Sequence, residues 1–276
     1  MQRIYSLAYL TSAPMAPPEA LSLAHKLGYQ AIGVRIAPAA AGGDFSPLAE
    51  NPALLRETIA RIKDTGVPVF DVEIARLGAD FRIERFEAFL DTAGKMGARA
   101  ILVAGDDPDE ARLTQSYATF CDAAAAFGLT ADLEFMPWTA VADARTALRI
   151  VTNADRPNAR ILIDALHAAR STTTLADIAI IPRNRLSYAQ LCDAPGDIPP
   201  TTEGLIHTAR RARLLPGEGG IDLAGIVRHL PPDLPLSLEI PNDERLAKLG
   251  TEEWARQALA AANSIVARAG NPESAS

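Results

Sequence analysis

The sequence predicts a single (β/α)8 TIM barrel, and three observations support this prediction. Strand-like and helix-like segments alternate along the chain, which is typical of parallel βα folds. The length of 276 residues suits one such barrel, which usually takes about 250 residues. The strand-like segments number eight, with no spare strand, and this favours a closed barrel. An open dinucleotide-binding sheet would place glycines after its first strand, and segment 11–20 contains none.

The predicted strands are short apolar runs, and turn residues bound each of them. The first run begins near the N-terminus and precedes a proline-rich turn. The third run, VPVFDVEIARL, is the longest, and the fourth ends in the acidic turn GDDPDE. In chain order, the strands are predicted at 3–10, 31–36, 67–77, 98–104, 130–135, 160–164, 186–193 and 234–240.

The segments between the strands show the apolar spacing of helices. The first helix begins at Pro17 and ends before Gly28, because proline suits the first turn of a helix and glycine its C-terminus. The longest irregular segment is 194–220, and we expect one helix within it. In chain order, the helices are predicted at 17–27, 52–65, 83–96, 141–151, 174–180, 203–213, 222–229 and 252–269, with another ending at residue 127.

Composition argues against several classes of protein. A formal charge of −7 and a pI near 5.2 argue against a nucleic-acid-binding surface. No apolar run reaches the roughly 20 residues of a membrane span, and the N-terminal segment does not have the pattern of a signal peptide. Cys121 and Cys192 lack CxxC spacing and are expected to be buried free thiols. We therefore expect a cytoplasmic protein in which residues 1–270 form the barrel and 271–276 a disordered tail.

Oxygen-bearing side chains lie at the ends of four predicted strands: Glu134, Asp164, Gln190 and Glu239. An isolated charge at the end of a buried strand is costly unless it is hydrated, paired or bound to a cation. Because side chains alternate between the two faces of a strand, all four are expected to point into the barrel. They lie on the fifth to eighth strands, near the carboxyl ends where barrel enzymes place their active sites.

We predict that these four residues bind one divalent metal ion. A set made only of oxygen ligands suits Mg²⁺ or Mn²⁺, and Co²⁺ less well, whereas a structural zinc prefers cysteine and histidine. The alternative interpretation is that they are ordinary strand-end polar residues that pair with arginines or cap helices.

The sequence resembles the xylose isomerase-like TIM barrels, the sugar phosphate isomerase/epimerase family, along essentially its whole length. The motifs that carry the resemblance are Glu134, the DALH motif of Asp164–His167, Asp193, Arg213 with the PGEG turn at 216–219, and Glu239. The resemblance implies that the two glutamates, the aspartate and a residue of the seventh strand hold a divalent metal, often Mn²⁺.

The seventh strand departs from the pattern of many epimerases, which have a histidine ligand there. Gln190, in the context QLCDAP and with arginines before the PGEG turn, resembles the 3-dehydroshikimate dehydratase branch of the family. The family position of His167 implies an acid or base beside the metal; the alternative is a histidine that caps the following helix.

Further candidates lie near other strand ends. Arg213 and Arg210 are predicted to bind a substrate carboxylate or phosphate in bidentate fashion, or to form only a solvated basic helix face. Arg35, near the end of the second strand, is also a candidate for substrate binding. Glu73 is a candidate on the third strand, but its position alternates with that of Arg76, and we expect a salt bridge between those two.

These residues predict a metal-dependent isomerase or epimerase that forms an enediolate on a small polyhydroxylated carbonyl substrate. Glu134 and Glu239 would act as ligands and as the acid/base pair. The alternative is a 3-dehydroshikimate dehydratase-like lyase that forms protocatechuate, with His167 as acid or base. A further alternative, from a different functional class, is a non-catalytic barrel that binds a small ligand without turnover. The four lysines lie on predicted helices or beyond them, away from the strand ends, which disfavours a Schiff base. A small-molecule substrate is the expected partner, and assembly into a homo-oligomer is left open.

Overall fold

A computed structural model describes residues 3–40 and 42–270. Its strands form one closed barrel in sequence order, and every neighbouring pair is parallel, including the last strand against the first. The predicted TIM barrel is therefore confirmed. The strands are β1 Tyr5–Leu7, β2 Ala31–Arg35, β3 Val69–Leu77, β4 Ala100–Gly105, β5 Thr130–Glu134, β6 Ala159–Asp164, β7 Ala189–Leu191 and β8 Leu236–Leu238.

Helices surround the barrel, and short 3₁₀ turns occur at Ile83–Phe86 and Arg183–Arg185. Within the described residues, every helix is too short or too polar to span a membrane. The helices are α1 Tyr9–Ser12, α2 Pro17–Leu27, α3 Pro52–Thr65, α4 Glu87–Met96, α5 Glu110–Ala125, α6 Ala144–Ala154, α7 Ala165–Arg170, α8 Leu175–Ala179, α9 Thr202–Arg211, α10 Leu223–His229, α11 Asp243–Leu249 and α12 Thr251–Gly270.

The predicted and observed elements differ mainly at their ends. The helices predicted at 17–27 and 52–65 have the same bounds in the structure. The first strand is shorter than predicted, because residues 9–12 form a helical turn. The short helices α7 and α11 were not predicted, since neither is long enough to repeat an apolar period. The predicted tail 271–276 lies outside the described residues.

Side chains along β8 alternate between the outer and inner faces of the barrel, as predicted. Leu236, Leu238 and Ile240 are buried in the layer between the barrel and its helices, so Ser237 and Glu239 point inward. The interior contains a separate apolar cluster, in which Ala31, Ala100 and Ala104 are small. Barrel interiors are usually filled by bulky branched side chains, and the small residues here leave room for polar groups at the carboxyl end.

Strand β3 departs from simple alternation because its register shifts against both neighbours. One shift lies at Ile32/Gly33 on β2, and the other at Val72/Ala75 within β3. Each shift adds a residue on one strand and turns two successive side chains toward the same face. Glu73 and Arg76 therefore both reach the open end of the barrel, although their spacing predicted opposite faces.

Candidate active site

The centre of the site is built where β6 ends and α7 begins. Asp164 is the last residue of the strand and also caps the helix: its Oδ1 accepts hydrogen bonds from the backbone N–H of Leu166 at 2.7 Å and of His167 at 3.4 Å. A carboxylate at this position satisfies donors at the helix N-terminus. The cap also fixes the first turn of α7, and this turn places the His167 ring over the end of the barrel.

Three predicted residues meet beside this cap. The His167 Nε2 atom lies 3.8 Å from Glu134 Oε1 and 4.0 Å from Asp164 Oδ2. One ligand atom from each of the three residues lies within 4.8 Å of the other two, and all three residues are buried. Side chains at this spacing can surround a single cation.

The other two predicted ligands join this group through direct contacts. Gln190 Nε2 donates to Glu239 Oε1 at 3.0 Å. The second oxygen of Glu239 lies 2.8 Å from Arg213, whose guanidinium also contacts Asp164 at 2.6 Å. The structure therefore brings Glu134, Asp164, Gln190 and Glu239 into one buried site, as the pattern of strand ends predicted.

Acidic side chains outnumber basic side chains inside the barrel. The pKa of Glu134 is raised well above its ordinary value by burial and then by the nearby Asp164 and Glu239 carboxylates. Burial also raises the pKa of Glu239 to about 8. Burial would raise the pKa of Asp164 too, but Arg213 and His167 hold it below its usual value. The buried acidic residues of the barrel are Asp71, Glu73, Asp132, Glu134, Asp164 and Glu239.

The donor set fits a divalent cation. Among the described residues, Glu134 Oε1 and Gln190 Oε1 are buried and have no hydrogen-bond partner. Buried oxygens are nearly always satisfied by protein, water or an ion. Carboxylate and amide oxygens are the ligands that Mg²⁺ and Mn²⁺ prefer. The crowding of acidic groups around Glu134 and the two buried oxygens without a partner both favour a bound cation.

His167 is neutral near physiological pH. Burial lowers its pKa to about 4, although the Asp164 carboxylate opposes this shift. The ring packs edge to face against Trp138, with 5.0 Å between centroids, and its Nδ1 has no partner in the described part of the chain. A neutral imidazole beside a carboxylate can accept a proton from a bound molecule.

This shift predicts how the stability of the metal-free protein depends on pH. Between about pH 6.5 and about pH 4, the unfolded chain protonates His167 while the folded chain does not, so stability falls as the pH is lowered. We expect wild type to lose about 2 to 3 kcal/mol more than the His167→Gln variant between about pH 7 and about pH 4.5. Urea unfolding of both proteins in EDTA measures this difference, and equal losses would contradict it.

Arg213, a predicted substrate-binding residue, lies deeper than the mouth of the barrel. The residue is 2% exposed. Its Nε donates to the carbonyl oxygen of Ala209 at 2.8 Å, and its other nitrogens contact the two carboxylates described above. Its role in substrate binding stays a prediction.

The mouth above the site carries the other predicted arginines. Glu73 pairs with Arg35 at 3.2 Å, whereas Arg76 pairs with Asp106 at 2.7 Å. The expected Glu73–Arg76 salt bridge is therefore wrong, because each side chain pairs with a residue of another segment instead. Burial lowers the pKa of Arg210, and the nearby Arg76 and Arg35 lower it further. The three arginines are therefore near one another at the mouth, and Arg35 and Arg76 each pair with a carboxylate.

A cavity of about 850 Å³ opens between the mouth and α9. This volume lies within the range of small-molecule sites. The residues that bring polar or aromatic groups to its wall are Tyr9, Arg35, Asp44, Glu203, His207, Arg210, Arg211, Asn242, Asp243 and Thr251. Arg35 and Arg210, two of the three arginines predicted to bind substrate, therefore lie in the wall of this cavity.

Sequence reasoning missed the contributions of two aspartates. Asp193 is buried and organises the PGEG turn: its carboxylate accepts from the N–H groups of Gly217 at 2.9 Å and Gly219 at 3.0 Å, among others. The sequence did contain a signal for this contact, because an aspartate at the end of a strand is followed by the glycines of the PGEG turn. Asp71 is buried inside the barrel, and a Cβ at Gly33 would lie only 2.9 Å from its Oδ2. The register shift hid its inward orientation.

A family model described as xylose isomerase-like TIM barrel matches residues 21–265. The chain belongs to this family. Two curated relatives of this xylose isomerase-like barrel are named 3-dehydroshikimate dehydratase. The protein from Pseudomonas aeruginosa is 29% identical over 177 residues, and the one from Pseudomonas putida is 27% identical over 173 residues. These matches cover 61% and 58% of this chain, but the chain spans only about a quarter of those proteins, 27% and 26%.

Solved structures share the fold at low identity. A xylose isomerase-like TIM barrel/4-hydroxyphenylpyruvate dioxygenase fusion protein has a TM-score of 0.78 at 22% identity, covering 95% of this chain and 42% of that one. The IOLI protein, crystallised with a zinc atom, has a TM-score of 0.78 at 18% identity and coverage of 96% and 98%. D-allulose 3-epimerase from Methylomonas sp., in complex with D-allulose, has a TM-score of 0.69 at 15% identity and the same coverage.

Proposed function

We propose that the chain is a divalent-metal-dependent enzyme that removes a proton next to a carbonyl group of a small hydroxylated substrate. The observation that carries this proposal is the convergence of Glu134, Asp164 and His167 within 4.8 Å, all buried, at the carboxyl end of the barrel. Groups with perturbed pKa values in such a cleft favour acid–base chemistry.

Glu134, Asp164, Gln190 and Glu239 would hold the metal, for which we propose Mn²⁺, with Mg²⁺ or Co²⁺ as alternatives. A bound divalent cation polarises carbonyl and hydroxyl oxygens and makes the neighbouring C–H more acidic. The IOLI protein binds zinc, but the oxygen set of this chain favours harder cations.

The side chains supply the proton transfer. His167 is neutral and can take the substrate proton at a free ring nitrogen. Glu134, beside His167, carries a raised pKa and can hold a proton near the same point. Trp138 contacts the imidazole ring edge to face and restricts its orientation. These groups supply a base, an acid and a fixed geometry.

We propose dehydration of 3-dehydroshikimate, or of a closely similar hydroxylated keto acid, as the first candidate reaction. Arg35 and Arg210 line the cavity, and guanidinium groups suit a substrate carboxylate. Gln190 and the names of the two curated relatives agree with this choice. The sequence alone placed isomerase chemistry first, and the arginine-lined cavity reverses that order. His167 would remove the proton next to the ketone, and the hydroxyl on the following carbon would leave as water.

Sugar epimerisation is the second candidate, and a specific observation favours it. Glu134 and Glu239 lie at the ends of different strands, and the pKa of each carboxyl is raised by burial. Two such carboxyls could serve opposite faces of a substrate carbon. Free sugars carry no carboxylate, and this reaction therefore gives Arg210 no charged partner.

An assay with 3-dehydroshikimate tests the first candidate. We expect the Mn²⁺-loaded protein to produce the ultraviolet absorbance of protocatechuate. The Arg210→Met variant should lose about 10- to 100-fold in kcat/KM, mainly through KM, because a charge-assisted contact is lost. Arg228, exposed on α10, provides the matched control, and Arg228→Met should leave the rate unchanged. Turnover only of a sugar panel would support epimerisation instead, and metal binding without any turnover would support a non-catalytic barrel.

A further inference from the structure

We infer that Arg213 is an internal counter-cation of the metal site, which pairs with the carboxyl groups of Asp164 and Glu239 and holds them in place whether or not a metal is bound. The inference rests on the proposed metal site. It gives the buried arginine a role distinct from binding substrate: the guanidinium supplies part of the positive charge that the ligands require, and so limits how strongly folding depends on the metal.

The contacts of the guanidinium support this role. One terminal nitrogen lies 2.6 Å from Asp164 Oδ2, and the other lies 2.8 Å from Glu239 Oε2. The first also contacts the carbonyl oxygen of Glu239 at 3.2 Å and the sulfur of Cys192 at 3.3 Å. A planar guanidinium can bridge two carboxylates in this way, whereas an ammonium is a single point charge. Arg213 therefore links a ligand from the end of β6 to a ligand beyond β8.

The backbone of Arg213 is fixed on both sides. Its N–H donates to the carbonyl oxygen of Pro241 at 2.9 Å, and its carbonyl oxygen accepts from Asn242 Nδ2 at 2.8 Å. The side-chain Nε donates to Ala209 at 2.8 Å. Donors along the whole side chain are engaged, which holds the guanidinium in the site rather than at the mouth.

The four predicted ligands fall into two pairs. Both oxygens of Asp164 and of Glu239 already accept hydrogen bonds from protein groups, with Arg213 on one oxygen of each. In contrast, Glu134 and Gln190 each keep a buried oxygen that lacks a partner among the residues described. The first pair is thus held by the internal cation, and the second pair presents free oxygens to an added ion.

Removing the guanidinium would leave two buried carboxylates without a counter-ion, next to the third at Glu134. Breaking a buried ion pair is strongly destabilising because an uncompensated charge remains. A bound divalent metal would then supply the missing charge. The metal-free form should suffer more from the substitution than the metal-bound form, whereas a purely structural arginine would affect both forms equally.

Thermal unfolding in EDTA and in excess Mn²⁺ tests this difference. For wild type we expect a metal-induced rise in Tm. For Arg213→Met we expect a lower Tm in EDTA and a metal-induced rise at least about 3 °C larger than that of wild type, together with about tenfold tighter Mn²⁺ binding in calorimetry. Arg35→Met is the matched control, since Arg35 is a mostly buried arginine paired with Glu73 outside the ligand set. Its metal-induced rise should equal that of wild type.

A rise in Arg213→Met that is equal to or smaller than that of wild type would overturn the inference while leaving the metal site intact. If wild type neither binds Mn²⁺ nor gains stability, the proposed metal site fails, and this inference fails with it. If Arg213→Met folds only with Mn²⁺, the inference is supported. If it folds under neither condition, Arg213→Lys decides: one ammonium cannot bridge both carboxylates, so its metal-induced rise should exceed that of wild type, and an equal rise would overturn the inference.

Discussion

Replacing Glu134 by glutamine is expected to lower kcat/KM by about 10³-fold or more without unfolding the protein. The two side chains have nearly the same shape, but the amide removes a charge that the proposed metal requires. Glu134 Oε1 is buried, lacks a partner among the described residues and lies 3.8 Å from the His167 ring. The substitution therefore replaces a charged ligand by a neutral one and alters the environment of the proposed base in one step.

Stability separates a functional role of Glu134 from a structural one. Because this carboxylate is buried near Asp164 and Glu239, the neutral glutamine should leave the Tm of the metal-free protein unchanged or raise it. Steady-state kinetics and thermal unfolding in EDTA are the measurements. Glu110→Gln is the control: it lies at the start of α5 in an exposed pair with Arg149, and its activity should match wild type. Full activity of Glu134→Gln would contradict the proposed site.

Replacing Asp193 by alanine is expected to lower the free energy of unfolding by about 3 to 5 kcal/mol. The carboxylate accepts backbone N–H groups from both sides of the loop. Those of Gly217 and Gly219 lie at 2.9 and 3.0 Å, and those of Ala194 and Ile221 at 2.8 and 3.1 Å. Alanine would leave several donors in the protein interior without an acceptor. The PGEG loop follows Arg213 closely in the chain. We therefore expect the Asp193→Ala variant to lose activity as well as stability.

Asp222 provides the comparison for this loss. It caps α10 from the same loop and accepts the backbone N–H of Gly225 at 2.8 Å. Loss of a helix cap costs about 1 kcal/mol, so Asp222→Ala should be the milder variant. Urea unfolding of the two variants measures the difference. If Asp193→Ala and Asp222→Ala lose the same small amount of unfolding free energy, the loop does not depend on Asp193 as described.

The sequence allowed prediction of the residues at the ends of β5 to β8 because simple alternation holds there. Glu134, Asp164, Gln190 and Glu239 each close a strand whose outward neighbours are apolar, and the structure places all four in one site. The eight strands were predictable for the same reason: apolar runs and turn residues agree along most of the chain.

Strand β3 shows why other features were not predictable. Its register shifts depend on packing against β2 and β4, and no local pattern marks them. Glu73 pairs with Arg35, its neighbour on β2, rather than with Arg76. The depth of Arg213 likewise depends on long-range contacts, since Pro241 and Asn242 hold its backbone from a part of the chain about thirty residues away. The sequence around Arg210 and Arg213 left substrate binding and a solvated basic helix face as alternatives.

Calorimetric titration of EDTA-treated protein with Mn²⁺ tests the proposed metal centre most directly. We predict that wild type binds about one ion per chain, and that Glu134→Gln and Glu239→Gln weaken this binding by at least about 100-fold. Absence of binding in wild type, or equal affinity in the two variants, would contradict a metal site formed by Glu134, Asp164, Gln190 and Glu239.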